Sequence, residues 1–242
     1  MKKRSMGDRI FDAIVYASLV VAFLIVFFSL MYVVSTSFAS ARELALNKFL
    51  IFPKHPTLEV YQYIFSTSTF LRSMIVTIVI TVVGTLVNLI MTCLMAYPLS
   101  RKALPGRSVI MTAVTFTLVF SGGMIPLYLV VKGVGLYGSR WALILPTLVD
   151  TYNLIIMRTA FAGVPDSLEE SAKLDGANAW TILWRIMAPL VKPTVAVITL
   201  YYAVSHWNSW FNAMLFLRDK TQYPLQLILR QILIQNDTAD MT

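Results

Sequence analysis

Charged residues are scarce in this chain of 242 residues: they make up 13% of it, whereas a soluble domain carries about 25%. Acidic residues are the scarcer kind, with 12 Asp and Glu against 20 Lys and Arg. Hydrophobic residues account for 57%, and the mean hydropathy is +0.71. This composition predicts a bundle of transmembrane helices and argues against a soluble domain with one large core.

Cysteine and histidine are also nearly absent. Cys93 stands alone inside an apolar stretch, and the two histidines, His55 and His206, lie far apart in the sequence. These counts argue against a disulfide framework or a Cys- or His-based metal site. The sequence shows no phosphate-binding loop and no Ser/His/Asp or Cys/His constellation. We therefore expect a chain that is not an enzyme, with no catalytic residues, metal or cofactor of its own.

Five apolar stretches have the length that a helix needs to cross a ~30 Å hydrocarbon layer. They cover residues 14–34, 74–97, 108–131, 141–161 and 190–217. A helix of this length satisfies its own backbone N–H and C=O groups, which lipid cannot do. The predicted fold class is therefore all-α, a polytopic transmembrane helix bundle that forms one domain over residues 1–242.

Several local features qualify these spans. Pro98 is expected to end the second span, and Ser121-Gly122-Gly123 with Pro126 to break the third. Residues 58–64 predict an amphipathic helix at the membrane interface, and the apolar stretch 225–234 is too short to span.

The distribution of Lys and Arg predicts the orientation. The N-terminus begins Met1-Lys2-Lys3-Arg4, and the short loop after the second span carries Arg101, Lys102 and Arg107. Short loops rich in basic residues stay in the cytoplasm. The N-terminus is therefore predicted to be cytoplasmic, and so is the loop at 163–189. The positive charge follows from this topology, so no nucleic-acid partner is expected.

The cytoplasmic loop is the most polar stretch between apolar spans. Asp166 with Glu169, or Ser167 with Glu170, has the spacing of a capping box at a helix start. Gly176 is placed to end this helix in a left-handed conformation, and Asn178 to cap the next one. Leu168, Ala172 and Asp175 fall near one face, beside the small Ser171. Such a helix either docks in the groove of a partner or is a solvated helix at the membrane surface.

A longer motif resolves this choice. Glu170-Ser171-Ala172-x-x-Asp175-Gly176-Ala177, then eight residues, then Ile186-x-Ala188-Pro189 resembles the EAA loop of permease subunits in ABC importers. That family has Ala where Ser171 stands and Leu where Ala188 stands. The resemblance implies a coupling helix that docks on a separate ATP-binding subunit. The implied docking residues are Leu168, Glu169, Glu170, Ser171, Ala172, Asp175, Gly176 and Ala177.

The resemblance extends over nearly the whole chain, to the carbohydrate importers of the maltose-permease G-subunit type and, less specifically, to permeases for oligosaccharides from complex polysaccharides. It implies alternating access and a multi-pass location in the bacterial cytoplasmic membrane. The implied partners are a second homologous permease, two ATP-binding subunits that carry ATP and Mg, an extracytoplasmic solute-binding protein, the carbohydrate and the bilayer. Members usually have six spans, so the five spans here suggest truncation before the last helix.

Polar and aromatic residues inside the spans are the candidate substrate pathway, because amides at membrane depth are costly unless they face a partner or a water-filled path. Tyr201, Ser205, Asn208 and Asn212 have the spacing of one helix face. The full candidate set is Asn88, Asp150, Asn153, Tyr201, Ser205, Asn208, Asn212, Trp207 and Trp210. The alternative is an interfacial aromatic belt with interhelical hydrogen bonds.

Other functions remain open at this point. The same architecture could carry a polyamine or phosphate, because the EAA loop does not determine the solute. A secondary transporter would need a coupling-ion site, and none is evident in the sequence. A membrane scaffold without transport would tolerate changes at Asp175 and Gly176.

Overall fold

A computed structural model describes residues 6–46 and 52–239, and this part of the chain is helical with no strand. It falls into two compact units divided after Ser68. The all-α fold class predicted from composition is confirmed. The basic residues at positions 2–4, which entered the predicted orientation, lie outside the described residues.

The described part of the first unit contains three helices: α1, Met6–Ser37, α2, Ala41–Leu46, and α3, Glu59–Ser66. The 32-residue α1 contains the first predicted span, and at 1.5 Å per residue it is about 48 Å long. The Tyr61 hydroxyl in α3 donates to Ser37 Oγ at 2.8 Å, and its ring lies 5.4 Å from that of Phe38. These contacts connect the predicted amphipathic segment to the end of α1.

The long helix α4, Ser68–Ser100, contains the second predicted span, and all of it after Ser68 belongs to the second unit. Pro98 lies inside α4 and does not end it, so that prediction is wrong. A proline this close to the end of a helix removes one backbone donor, and the last turn closes around it. The Ser100 hydroxyl donates to the Tyr97 carbonyl at 2.6 Å in this turn.

The third predicted span is broken where the sequence indicated. It consists of α5, Arg107–Val119, and α6, Met124–Gly133, which meet at 119°. Gly123 has a φ of +85°, a conformation that favours glycine at the break.

The prediction of one helix over residues 141–161 is wrong. Two short 3-10 helices, Arg140–Leu143 and Leu145–Thr147, precede the 12-residue α7, Thr151–Ala162. Pro146 lies in the second 3-10 helix and cannot donate to a preceding helical turn. Asp150 then starts a new helix by accepting the Asn153 N–H at 2.9 Å.

The remaining chain is helical with sharp breaks. It comprises α8, Asp166–Leu174, α9, Ala179–Thr181, a π-helix, Ile182–Met187, α10, Ala188–Leu190, α11, Lys192–Trp207, α12, Trp210–Phe216, a 3-10 turn, Lys220–Gln222, and α13, Leu225–Ala239. The segments Ala179–Leu190 and Lys192–Trp207 bend by 90°, beside Pro193. The predicted span over residues 190–217 is therefore not one helix, because it is broken here and again at Asn208.

In the described residues, α1 and α4 are long and apolar enough to cross a membrane. Counting each bent pair as one span gives up to four such segments, compared with the five predicted. Two apolar clusters organise the second unit. The larger one joins the C-terminal half of α4 to α5, α7, α8 and α11, and the smaller one joins its N-terminal half to α12 and α13.

Candidate functional site

The polar helix α8 begins differently from the prediction. Its N-cap is Pro165, and no side chain accepts a backbone N–H there, so the predicted capping box is wrong. The acids of the first turn contact a cation instead. Asp166 Oδ1 accepts from Arg101 Nη1 at 2.7 Å, and Glu169 Oε2 lies 2.7 Å from Arg101 Nε. A nearby guanidinium competes with the helix N-terminus for these carboxylates.

The end of α8 follows the prediction. Gly176 has a φ of +81°, in the left-handed region. The N–H of Ala177 donates to the Ala172 carbonyl at 2.9 Å, and the N–H of Gly176 donates to the Lys173 carbonyl at 3.0 Å. This pair of bonds is a Schellman motif, which satisfies the last carbonyls of the helix. Asn178 then caps the next helix by accepting the Thr181 N–H at 2.8 Å, as predicted.

Arg101 is the buried centre of the contacts around α8. Its side chain is 14% exposed and that of Glu169 is 9% exposed. The Nε–Glu169 contact is a close ion pair, although its N–H is not aligned for a hydrogen bond. Arg101 Nη2 also donates to Met187 Sδ at 3.3 Å, and the guanidinium lies over the Tyr97 ring at 5.4 Å. Arg101 therefore contacts α4, α8 and the π-helix.

The predicted docking residues divide between two faces of α8. Glu169 and Ala172 are buried within this chain, Ala172 against the larger apolar cluster, and Ala177 is half-buried. The other five, together with Leu174, are exposed. Leu174 is 90% exposed, which is costly for an apolar side chain in water. The exposed members are Leu168, Glu170, Ser171, Leu174, Asp175 and Gly176.

A buried hydrogen-bond network lies between α4, α11 and the segment before α7. Asn88 is fully buried, and its Nδ2 is 3.0 Å from the Thr147 carbonyl and 3.1 Å from His206 Nε2. A carbonyl only accepts, so the Thr147 contact identifies the Asn88 nitrogen, and His206 Nε2 must accept as well. Asn88 Oδ1 is left without a hydrogen-bond partner among the described residues.

Tyr202 connects the same elements one turn away. Its hydroxyl lies 2.7 Å from Thr92 Oγ1 and accepts the Asp150 N–H at 3.0 Å. Thr92 is fully buried and Tyr202 is 3% exposed. The phenol thus joins α4, the start of α7 and α11 in a region where unpaired polar groups are costly.

Two adjoining cavities open beside this network and share Thr147 and Ser205. The first has a volume of about 330 Å³ and is lined by Asn88, Thr147, Asp150, Tyr152, Asn153, Tyr201, Tyr202 and Ser205. The second has a volume of about 200 Å³ and is lined by Leu143, Thr147, Ser205, His206, Asn208, Ser209, Phe211 and Asn212. Amides, hydroxyls and aromatic rings dominate both linings, a combination that can bind hydroxyl groups and the C–H faces of sugar rings.

Seven of the nine predicted pathway residues line one of these cavities. Trp207 and Trp210 are absent from the lining residues that the structure describes. Trp207 is exposed, and Trp210 packs under the guanidinium of Arg230 at 3.7 Å. The prediction of one helix face for Tyr201 through Asn212 is wrong, because α11 ends at Trp207 and Asn212 belongs to α12.

The predicted set left out eight residues of this site: Thr92 of the network, and Leu143, Thr147, Tyr152, Tyr202, His206, Ser209 and Phe211 of the cavity linings. Thr92 could have been found, since it follows Asn88 by four residues and therefore shares its helix face. Tyr152 could have been found too, since it lies next to Asn153 in the sequence; its ring is 6.4 Å from that of Tyr201. No group of three His, Cys, Asp or Glu that could hold a metal occurs in the described parts of the chain.

A third cavity, of about 550 Å³, lies between α5 and α7. Arg107 and Arg158 flank it, and their Nε atoms both donate to the Leu99 carbonyl, at 2.8 and 3.3 Å. This carbonyl is in the last turn of α4, where no intrahelical donor is available. The two guanidiniums therefore complete the end of α4.

Comparison with known proteins assigns the fold. Residues 104–239 match the family described as the inner-membrane component of binding-protein-dependent transport systems. The chain is 45% identical to the polygalacturonan/rhamnogalacturonan transport system permease protein YtcP of Bacillus subtilis (strain 168), covering 98% of this chain and 84% of that protein. It is 48% identical to the protein LplC of the same organism over 86% of this chain and 70% of LplC.

A solved structure shows the same architecture. It is a bacterial ABC transporter involved in the import of the acidic polysaccharide alginate, one chain of which is 33% identical with a TM-score of 0.90, covering 96% of this chain and 82% of that one. By sequence and fold, the chain belongs to the family of inner-membrane permease components of binding-protein-dependent ABC transport systems, which are transporter subunits and not enzymes.

Proposed function

We propose that this chain is the permease subunit of an ABC importer for an oligosaccharide released from an acidic polysaccharide. The observation that carries the proposal is the similarity over nearly the full length to permeases of this kind. YtcP is named for polygalacturonan and rhamnogalacturonan, and the transporter with the same fold imports alginate. Both relatives therefore handle polymers that contain uronic acids.

The polar cavities support a sugar pathway. Asn88 Oδ1 is a buried acceptor without a partner among the described residues, beside the first cavity. A local movement that opens this oxygen to the cavity would let a sugar hydroxyl donate to it and recover the hydrogen bond that burial removed. Tyr152 and Tyr201 offer ring faces in the same lining, and Asn208 and Asn212 continue the polar path.

The coupling of transport to ATP is assigned to α8. Its exposed face combines Leu174 and Leu168 with the carboxylates of Glu170 and Asp175. The turn at Gly176 ends the helix and sets the direction of the chain that follows. An ATP-binding subunit that covers Leu174 removes apolar surface from water. With this helix in the cytoplasm, the N-terminus is cytoplasmic too. A second permease, two ATP-binding subunits and a solute-binding protein complete the importer.

Reconstituted importer in proteoliposomes tests the proposal with Gly176→Asp. We expect wild type to take up labelled oligogalacturonate with ATP inside and sugar-loaded binding protein outside. Gly176→Asp is expected to lose uptake and the stimulated ATPase activity, because a side chain at a φ of +81° distorts the end of α8.

Gly133→Asp is the matched control, since Gly133 lies far along the chain in α6 with nothing within 4 Å of an added Cβ. It should retain uptake. Full ATPase stimulation in Gly176→Asp would contradict the coupling role of α8. Uptake of a neutral arabino-oligosaccharide in place of oligogalacturonate would contradict the acidic substrate.

A further inference from the structure

Arg101 lies between the two parts of the molecule that an importer must connect, the docking helix α8 and the cavity. It follows the last residue of α4 by one position. Asn88 and Thr92 of the buried network belong to that same helix, 13 and 9 residues earlier. At 1.5 Å per residue, Arg101 and Asn88 are separated by about 20 Å along the helix axis.

The contacts of Arg101 favour a mechanical role over a purely local one. The guanidinium reaches two carboxylates on successive turns of α8, Asp166 and Glu169, both at 2.7 Å. The other carboxylate oxygen of Glu169, Oε1, lies 2.8 Å from Lys173 Nζ. A planar guanidinium with two separated acceptors restrains both translation and rotation of α8 relative to the end of α4, whereas a lysine ammonium acts as a single point charge.

Burial strengthens this restraint. Glu169 and Arg101 are largely withdrawn from water, so the attraction between them is screened less than that of an exposed pair. Moving α8 away would remove both carboxylate partners of Arg101 and leave its charge beside the apolar cluster that contains Tyr97 and Ala172, while Glu169 would keep only the exposed Lys173. A small displacement of α8 is therefore expected to move α4 with it and not to break the contact between Arg101 and Glu169.

We propose that Arg101 is a positioning residue that makes α8 and α4 move as one body, so that displacement of the docking helix is transmitted along α4 to Asn88 and Thr92 at the cavity. The proposal rests on the docking role of α8 given above. It adds the residue that carries the motion into the membrane and the helix that receives it.

The first test compares Arg101→Gln with Lys102→Gln in the complete importer. Lys102 is the neighbouring exposed cation of the same loop, so its replacement matches the loss of charge. We expect Arg101→Gln to co-purify with the ATP-binding subunits and to keep basal ATPase activity. Its stimulation by sugar-loaded binding protein should fall roughly ten-fold, whereas Lys102→Gln should match wild type.

Retention of full stimulation in Arg101→Gln would overturn the proposal. Arg101→Lys separates charge from geometry, because one ammonium cannot replace the two-point contact, and it should give intermediate stimulation. If Gly176→Asp abolishes stimulation while Arg101→Gln does not, the transmission role fails and the docking role stands. If neither affects stimulation, the docking role itself fails.

A second measurement needs no variant of Arg101 and so does not depend on whether such a variant folds. Spin labels at Ser167 on α8 and Leu86 on α4, both exposed positions, report the separation of the two helices by pulsed electron resonance. We expect one distance that stays the same with and without ATP while the ATP-binding subunits close. A distance that changes between these states would refute motion as one body.

Discussion

The close approach of Gly84 in α4 to His206 in α11 gives a prediction that tests the buried network directly. An ideal Cβ at Gly84 would lie 2.6 Å from His206 Nε2 and 2.8 Å from two ring carbons. Tolerated contacts begin near 3.4 Å, so Gly84→Ala requires the ring to move by about 3.4 − 2.6 = 0.8 Å. His206 is 4% exposed, so there is little free space for that shift.

The shift also breaks a hydrogen bond. Asn88 follows Gly84 by one helical turn on the same face, so a ring that withdraws from Gly84 withdraws from Asn88 as well. Its 3.1 Å contact with Asn88 Nδ2 would lengthen beyond hydrogen-bonding distance. Overpacking destabilises the protein by about 1–3 kcal/mol and the lost hydrogen bond by about 1 kcal/mol. The higher helix propensity of alanine stabilises it by up to about 1 kcal/mol.

The expected net destabilisation is therefore about 1–3 kcal/mol, which lowers the melting temperature by about 2–12 °C for a chain of this size. Thermal unfolding of the purified protein in detergent micelles measures it. Gly133→Ala is the control: it is a helical glycine with no atom near the added Cβ, and it should unfold at or slightly above the wild-type temperature.

A double-mutant cycle assigns the cause. In a His206→Ala background the ring is gone, so Gly84→Ala should cost nothing or stabilise slightly. If Gly84→Ala destabilises both backgrounds equally, the clash with His206 is not the reason and the argument from close approach is refuted.

Two further predictions concern the cavity and the docking face. Tyr202→Phe should destabilise the protein by about 2 kcal/mol in the same unfolding assay, because it removes the partner of Thr92 and leaves the Asp150 N–H unpaired. Tyr201→Phe is the control and should change stability little, because the Tyr201 side chain is 44% exposed. Equal effects of the two substitutions would contradict the network. Leu174→Ser should leave the unfolding temperature unchanged but weaken binding of the ATP-binding subunit roughly ten-fold or more, because burying a leucine at an interface contributes about 1.5–3 kcal/mol to binding. A titration of the purified subunits measures the affinity. An unchanged affinity would place Leu174 outside the interface.

The sequence determines much of this architecture because membrane insertion leaves few alternatives. The apolar runs predict α1 and α4, and the glycines at 122 and 123 predict the break between α5 and α6. Gly176 and Asn178 act through local backbone geometry, so the turn after α8 was predicted correctly. The nine candidate pathway residues were chosen by asking where polar and aromatic groups occur inside apolar stretches, and seven of them line the two cavities.

The wrong predictions share a different cause, which is competition between local and tertiary partners. Asp166 and Glu169 have capping-box spacing, but Arg101 is a charged partner 65 and 68 residues away, and no local pattern reveals it. Residues 141–161 are apolar enough for one span, yet Pro146 and the Asp150 cap divide them into short helices. Tyr202 contacts Thr92 across 110 residues of sequence, and only the folded chain shows that contact.

The two guanidiniums on the Leu99 carbonyl have a consequence for biogenesis. Arg107 lies in α5 and Arg158 in α7, and each basic side chain is expected to resist translocation when its own helix inserts. Because both guanidiniums donate to one carbonyl oxygen, they hold the start of α5 and the C-terminal half of α7 at the same membrane depth. If either helix inserted the wrong way round, the Leu99 carbonyl would lose one of its two donors, so assembly of the bundle would favour the chain with correct topology after synthesis.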